Sequence, residues 1–304
     1  MSVSVFFYAL GGAALALSAA NGAVGQEAPV VPSGMTLEWS ASECLSAADD
    51  ADADGLGDRC ELSLARAFAP LLVVRPGGCN WDESTAPARL GGGYLFAAQP
   101  RTSEGVRLVY LPAYFRDCGW SGPKCLLPWV SCDPHAGDSE ILIIDVTATG
   151  ERQWRTEAVF LSAHCFGRSG GDCRWYREDE LGAFEWVDGV AAGAPVVWVA
   201  EGRNANYPSR SACDRGHHGI DTCDHHSVRY RFPVLSDQQN IGSRVQPIHG
   251  TGCVSGSELV HGGVRIDTTA VECFWSEAMP FRGWTGEGSG VTAYARYLRE
   301  IAGF

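Results

Sequence analysis

The sequence predicts a mainly β protein: a two-sheet antiparallel β-sandwich, with a short N-terminal helix behind an acidic loop and a further helix at the C-terminus. Two observations carry this. The 37 glycines and 15 prolines are spread along the chain between many short apolar runs, which is the pattern of strands joined by turns rather than of a helical bundle. Helical heptads are absent, and at 45% hydrophobic content the 304 residues hold ample apolar material for one large core.

In chain order, residues 1–25 read as a signal peptide and 26–40 as a linker. No charged side chain precedes Glu27, and the apolar block from Phe6 to Leu17 is too short for a bilayer span, which takes roughly 20 residues. The small residues Ser18, Ala19, Ala20, Ala23 and Gly25 offer cleavage points, although the leader lacks the usual positive charge. No later run is long enough for a transmembrane helix. Secretion, to the extracellular space or a periplasm, is the expectation, and the 12 cysteines agree with an oxidising compartment. Local spacing suggests Cys44 with Cys60, Cys165 with Cys173, Cys213 with Cys223 and Cys253 with Cys273, leaving Cys79, Cys118, Cys125 and Cys132 to pair among themselves. No C-x-x-C pair is present, so disulfides are favoured over a zinc site.

The most specific local signal lies at residues 50–61, DADADGLGDRCE, in an N-terminal appendage at 41–69 that precedes a sandwich domain at 70–304. It satisfies D-x-D-x-D-G-x5-E, in which alternating carboxylates, a backbone carbonyl and a terminal Glu wrap Ca2+ around a glycine-permitted turn. Asp50, Asp52, Asp54, Leu56 (through its carbonyl), Asp58 and Glu61 are the expected ligands. The alternative is a solvated acidic turn, but five carboxylates on one turn repel strongly without a cation. The run D-x-D-x-D-G-L-G-D-x-C-E also resembles a thrombospondin type 3 repeat, which implies a calcium loop beside a disulfide-bonded cysteine; here it occurs once, whereas those repeats come in arrays.

Residues 61–69 are helix formers ended by Pro70, so the loop is expected to cap a short helix. Strands are expected at 71–75, 93–97, 106–115, 140–147, 154–163, 195–201 and 227–235, with 184–190 ambiguous. The tail at 291–301 has helical spacing, with Tyr294, Tyr297, Leu298 and Ile301 on one face.

The segment DPHAGDSE at 133–140 enters the apolar run Ile141-Leu142-Ile143-Ile144. In one continuous strand, Asp138, Glu140, Leu142 and Ile144 would share a face, setting two carboxylates at the edge of a core beside His135. Such carboxylates need a divalent cation, an Arg or a cluster of donors. A hydrogen-bonded structural turn is the competing reading.

Upstream stands Ala113-Tyr114-Phe115-Arg116-Asp117-Cys118-Gly119, and downstream the strand Pro195-Val196-Val197-Trp198-Val199 running on to Asn204-Ala205-Asn206-Tyr207. With the HAGDSE segment, these resemble the necrosis-inducing cytolysin family and, more closely, the vacuolar-protein-sorting-sixty-two-like family, over residues 106–209. The resemblance implies a two-sheet sandwich with a divalent-cation site at one end, which in the cytolysins engages the sugar headgroups of plant sphingolipids. Carried over, the ligands fall on Asp117, His135, Asp138 and Glu140. Gly137 and Ser139 replace the second His and the Trp of the cytolysin heptapeptide, Asn204 stands where a His is expected, and the lipid-recognising loops have no counterpart, so cytolysis does not transfer. Oxygen ligands plus one His suit Ca2+, Mg2+ or Mn2+.

His164 and Tyr207, with Asn204, are accessory candidates at this site; for His164 a structural hydrogen bond is the alternative. The segment 213–226 is dense in His and Asp, a composition read as an exposed loop in preference to a transition-metal site. A net charge of −13 with Lys124 as the only lysine argues against nucleic acid. H-E-x-x-H and Walker glycine loops are absent. Three functions remain: recognition of a glycan or lipid headgroup through a metal site, metal-dependent extracellular hydrolysis, and two purely structural cations. The sequence leaves enzyme status and oligomeric state open.

Overall fold

The computed structural model describes residues 34–46, 49–75, 95–112, 114–117, 135–138, 140–165, 172–223, 228–230, 240, 259–261, 264–266 and 301. The expected signal peptide, most of the linker, the Cys253–Cys273 pair, Cys79, Cys118, Cys125 and Cys132, and the C-terminal helix apart from residue 301 lie outside the described residues.

The strands are β1 (Met35–Thr36), β2 (Leu71–Val74), β3 (Leu95–Thr102), β4 (Gly105–Leu111), β5 (Tyr114–Asp117), β6 (His135–Asp138), β7 (Leu142–Gly150), β8 (Gln153–Leu161), β9 (Arg174–Tyr176), β10 (Glu185–Trp186), β11 (Pro195–Val199), β12 (Asn206–Tyr207), β13 (Val228–Tyr230), β14 (Leu259–His261) and β15 (Val264–Ile266). One sheet runs β1-β8-β7-β4-β3, with β9 sharing the outer edge of β8, and is antiparallel throughout. The second runs β10-β11-β2-β13, with β12 also on β11. Its β2–β11 pair is parallel, because β11 reaches β2 by a long crossover through the first sheet rather than by a hairpin. The pairs β5–β6 and β14–β15 form two separate ladders.

The chain is a mainly β sandwich, as the sequence predicts. Alternate residues of both sheets meet in one buried cluster: Val106, Leu108 and Tyr110 of β4, Leu142, Ile144 and Val146 of β7, Leu72 and Val74 of β2, and Val197 and Val199 of β11. Each apolar side chain so buried contributes about 1.5–3 kcal/mol, so this shared layer dominates the stability. The opposite face of the first sheet is not simply polar, since Val109 and Ile143 are buried as well. There Asp145 is buried, accepting from Arg107 Nε (2.7 Å), Arg107 Nη2 (2.8 Å) and Arg101 Nη1 (3.0 Å), while Arg101 also pairs with Glu157. A buried carboxylate persists there because two guanidinium groups satisfy it.

Two helices pack on the entry side, α1 (Ala41–Cys44) and α2 (Asp58–Ala67). Ser40 caps α1 with a reciprocal capping box to Glu43. The second helix starts three residues before the expected position, because Gly57 serves as its N-cap and Asp58 and Glu61 bring negative charge to its N-terminal turn. It buries Cys60, Leu64 and Ala65 in the cluster shared with the sheets, Phe68 follows at its C-cap, and Tyr110 Oη donates to Ala65 O (2.9 Å). Met35 and Thr36, within the stretch expected as linker, form β1 against Trp154 and Gln153.

Two expected strands differ in outline. The run at 106–115 is divided between β4 and β5 around Pro112, which has no N–H for a ladder. The single strand expected through Asp138 and Glu140 is also broken: β6 ends at Asp138 and β7 starts at Leu142. The chain changes ladders there, from β5 to the β4 and β8 partners of β7, so strand alternation does not run from Asp138 to Ile144. The ambiguous stretch 184–190 is the two-residue β10 between short 3-10 turns.

Candidate functional site

The acidic loop brings its five carboxylates into two overlapping groups, Asp50, Asp52 and Asp58, and Asp52, Asp54 and Glu61, each with ligand oxygens within 4.8 Å of one another. Either group could hold a divalent cation. The turn is built by its own side chains: Asp50 accepts from the amides of Asp54 (3.1 Å) and Gly55 (3.0 Å), Asp54 from Leu56 (2.8 Å), and Asp58 from Ala51 (3.0 Å). Gly55 lies at φ 99°, where a Cβ is strained, which explains the glycine after the third Asp. The Cys44–Cys60 disulfide and the fully buried Leu56 anchor the loop to the core.

These carboxylates are held in an unfavourable state for isolated anions. Burial and then the charge of Asp58 push Asp52 up to about 6; burial and then the charge of Asp52 push Asp54 up to about 7. Asp54 is 6% exposed, and its Oδ2, like Oδ1 of Asp52, is buried without a hydrogen-bond partner. Hard oxygen donors of this density suit a divalent cation.

The second candidate set is placed in part. The β5–β6 register sets Asp117 opposite His135 and Tyr114 opposite Asp138, while Glu140 follows two residues beyond β6. The side chains of Asp117, His135 and Asp138 lie outside the described residues. Glu140 is buried, and its Oε1 accepts from the His164 amide (3.2 Å). Around it Ser162 closes the corner, with Oγ accepting from the Ile141 amide (2.6 Å) and its own amide donating to Ile141 O (3.2 Å).

From Glu140 a buried polar cluster continues through residues that are distant in sequence. His164 Nε2 donates to Asp221 Oδ2 (2.9 Å), and Tyr207 Oη donates to the same oxygen (2.5 Å), with Asp172 Oδ2 at 3.3 Å. The His217 amide donates to Asp172 Oδ2 (2.5 Å), and the His164 and His217 ring centroids are 4.6 Å apart. Two disulfide loops supply these groups: Cys165–Cys173 frames His164 and Asp172, and Cys213–Cys223 frames His217 and Asp221. Both pairings are those expected from spacing. Four non-glycine residues here, His164, Asn204, His217 and His218, have φ between 44° and 61°. Left-handed backbone at this density is a feature of functional sites.

The electrostatics separate the two buried imidazoles. Burial opposes a charge on His164, but the hydrogen bond and charge of Asp221, with Glu140 behind, outweigh it and raise its pKa. Burial, then the charges of His164 and Arg203, lower His217 to about 4. Despite its burial, Asp221 is held below the usual carboxylate range by its bond to His164. The two imidazoles are thus pushed in opposite directions, His164 toward holding its proton beside Asp221 and His217 toward the neutral form. Both His217 ring nitrogens, Asp221 Oδ1, and Arg203 Nε and Nη1 are buried without hydrogen-bond partners, a concentration of unmet polar capacity that favours a polar ligand.

His164 meets Glu140 through its backbone amide, and its ring shares Asp221 Oδ2 with the Tyr207 hydroxyl. Asn204 is buried nearby in chain terms, at 2% exposure, in the turn before β12. Asp172 and Arg203 are additions that the sequence does not point to, whereas His217 and Asp221 belong to the His- and Asp-dense segment 213–226. The reading of 213–226 as an exposed loop is corrected for His217 and Asp221, which are 5% and 2% exposed; Asp214 and His218 are exposed, and residues 224–226 lie outside the described residues. Among the described residues this cluster does not bring three His, Cys, Asp or Glu donors within the span seen in the acidic loop. No family model, curated protein or solved structure matches the chain.

Proposed function

We propose that the chain is a secreted, disulfide-stabilised β-sandwich that binds divalent cations in two places: Ca2+ in the 50–61 loop, serving stability, and Ca2+, Mg2+ or Mn2+ at Asp117, His135, Asp138 and Glu140, serving recognition of a glycan or lipid headgroup. The observation that carries the reading is the convergence of five carboxylates in which Asp54, almost fully buried, keeps an oxygen without a partner. Burial of such a group is tolerated when a cation compensates it. The second site is supported by the register that sets Asp117 opposite His135, by Glu140 at the buried cluster, and by the resemblance of 106–209 to the two metal-site families. Among the described residues three disulfides agree with an oxidising compartment, and no helix is long and apolar enough to cross a membrane.

The test is metal analysis of purified protein together with the double variant Asp138→Ala and Glu140→Ala. Loss of binding to a glycan array or to liposomes, with folding intact, supports recognition. Loss of melting temperature alone, with no ligand or turnover affected, makes the second cation structural and ends the recognition reading.

A second reading, metal-dependent hydrolysis, is favoured by one observation: Asp221 orients the His164 ring while the His164 amide donates to Glu140, which sets an imidazole fixed by a carboxylate at the site as a general acid or base. It predicts turnover of a phosphate, ester or glycoside that His164→Gln abolishes while headgroup binding persists.

A further inference from the structure

Asn240 is separated from the acidic loop by most of the chain, yet its side chain lies inside it. Nδ2 is 2.8 Å from Asp52 Oδ2, 2.9 Å from Glu61 Oε1 and 3.0 Å from Glu61 Oε2, across sequence separations of 188 and 179 residues. Asn240 is 6% exposed, and its backbone forms a parallel bridge to Phe96 of β3, the edge strand of the first sheet. The placement is thus fixed by both main chain and side chain.

An amide NH2 has two hydrogens, and here it faces three carboxylate oxygens of two residues. It meets them without neutralising them. The same two residues, Asp52 and Glu61, belong to the group that also contains Asp54, whose Oδ2 is buried and has no partner. The carboxamide is nearly symmetric: a half-turn about its last bond exchanges Nδ2 for Oδ1, a hard neutral oxygen of the kind that Ca2+ takes from Asn side chains.

We propose that Asn240 is a calcium ligand of the 50–61 loop, contributing Oδ1 from outside the loop, so that Ca2+ ties the segment around Asn240 to α2 and to the edge of the first sheet. This rests on the reading of the loop as a Ca2+ site. Calcium occupancy then governs how tightly Asn240 is held, and not only the local turn.

Calcium titration calorimetry of the full chain, with Asn240→Ala and Asn240→Asp, tests it. Wild type is expected to bind Ca2+ at the loop, Asn240→Ala to bind about tenfold or more weakly, and Asn240→Asp to bind at least as tightly, because added ligand charge strengthens such sites. In wild type, Ca2+ should also slow amide hydrogen exchange in the peptide containing Asn240. Unchanged or tighter binding by Asn240→Ala overturns the inference while leaving the loop reading standing. Should that variant not fold, weaker binding by Asn240→Asp overturns it instead. Absence of any Ca2+ binding by wild type overturns both.

Discussion

Asp54 shows what single residues contribute. Its carboxyl, raised to about 7 with Asp52 at about 6, holds its proton more tightly in the folded chain than in the unfolded one. The sign follows from linkage: without cation, these groups lower stability as pH rises from about 4 toward 7, and the penalty is complete above that window. A cation that requires both as carboxylates displaces their protons, so Ca2+ affinity should rise by about an order of magnitude or more between pH 5.5 and 7.5. Calorimetry in buffers of different ionisation enthalpy should detect the released protons. Asp54→Asn is expected to remove most of this pH dependence together with most of the affinity. At the other site, Gly216 allows the close approach of Tyr207: a Cβ there would stand 2.2 Å from the Tyr207 hydroxyl. Gly216→Ala should therefore displace Tyr207 from Asp221 and destabilise by roughly 1–3 kcal/mol. Gly182→Ala, where a Cβ meets nothing within 4 Å, serves as the control in the same denaturant titration.

At the scale of elements, the buried cluster depends on two small disulfide loops that hold His164, Asp172, His217 and Asp221 at the end of the sandwich. Replacing Cys165 and Cys173 together by Ser should cost about 2–3 kcal/mol through the freed unfolded chain. It should also release the left-handed turn at His164, visible as a fall of the raised His164 pKa toward the ordinary imidazole range in a proton NMR titration. These elements explain what could be read in advance. The convergence of the acidic loop was legible because all its carboxylates lie within twelve residues of sequence. The local disulfides were legible for the same reason of short range. The cluster around Glu140 was not: Glu140, His164, Tyr207 and Asp221 come from four separate segments, brought together by the return of β8 beside β7 and of β12 beside β11 and by the Cys213–Cys223 loop. His217 and Asp221 were hidden further, because a loop rich in His, Asp and Gly has the composition of a solvated surface whether or not its side chains turn inward. The break between β6 and β7 was invisible for a related reason, since a change of ladder partner leaves the apolar run itself intact.

Across the whole molecule, the shared core makes one body of α2 and the two sheets, and Asn240 links the loop at its entry to the edge strand β3. A cation in that loop is then coupled to global stability. The net charge of −13 adds a general attraction for cations that salt should weaken, whereas the loop contribution, being buried, should persist at high ionic strength. The most direct test of the central claim is the melting temperature of the full chain in excess Ca2+ against chelator at neutral pH. A Ca2+ concentration about 100-fold above Kd adds about 2.7 kcal/mol to the folded state. For a chain of this size that raises the melting temperature by roughly 4 °C. The account predicts that rise, and predicts that replacing Asp52 and Asp54 by Asn abolishes it; equal melting temperatures in Ca2+ and chelator for the wild-type chain would contradict it.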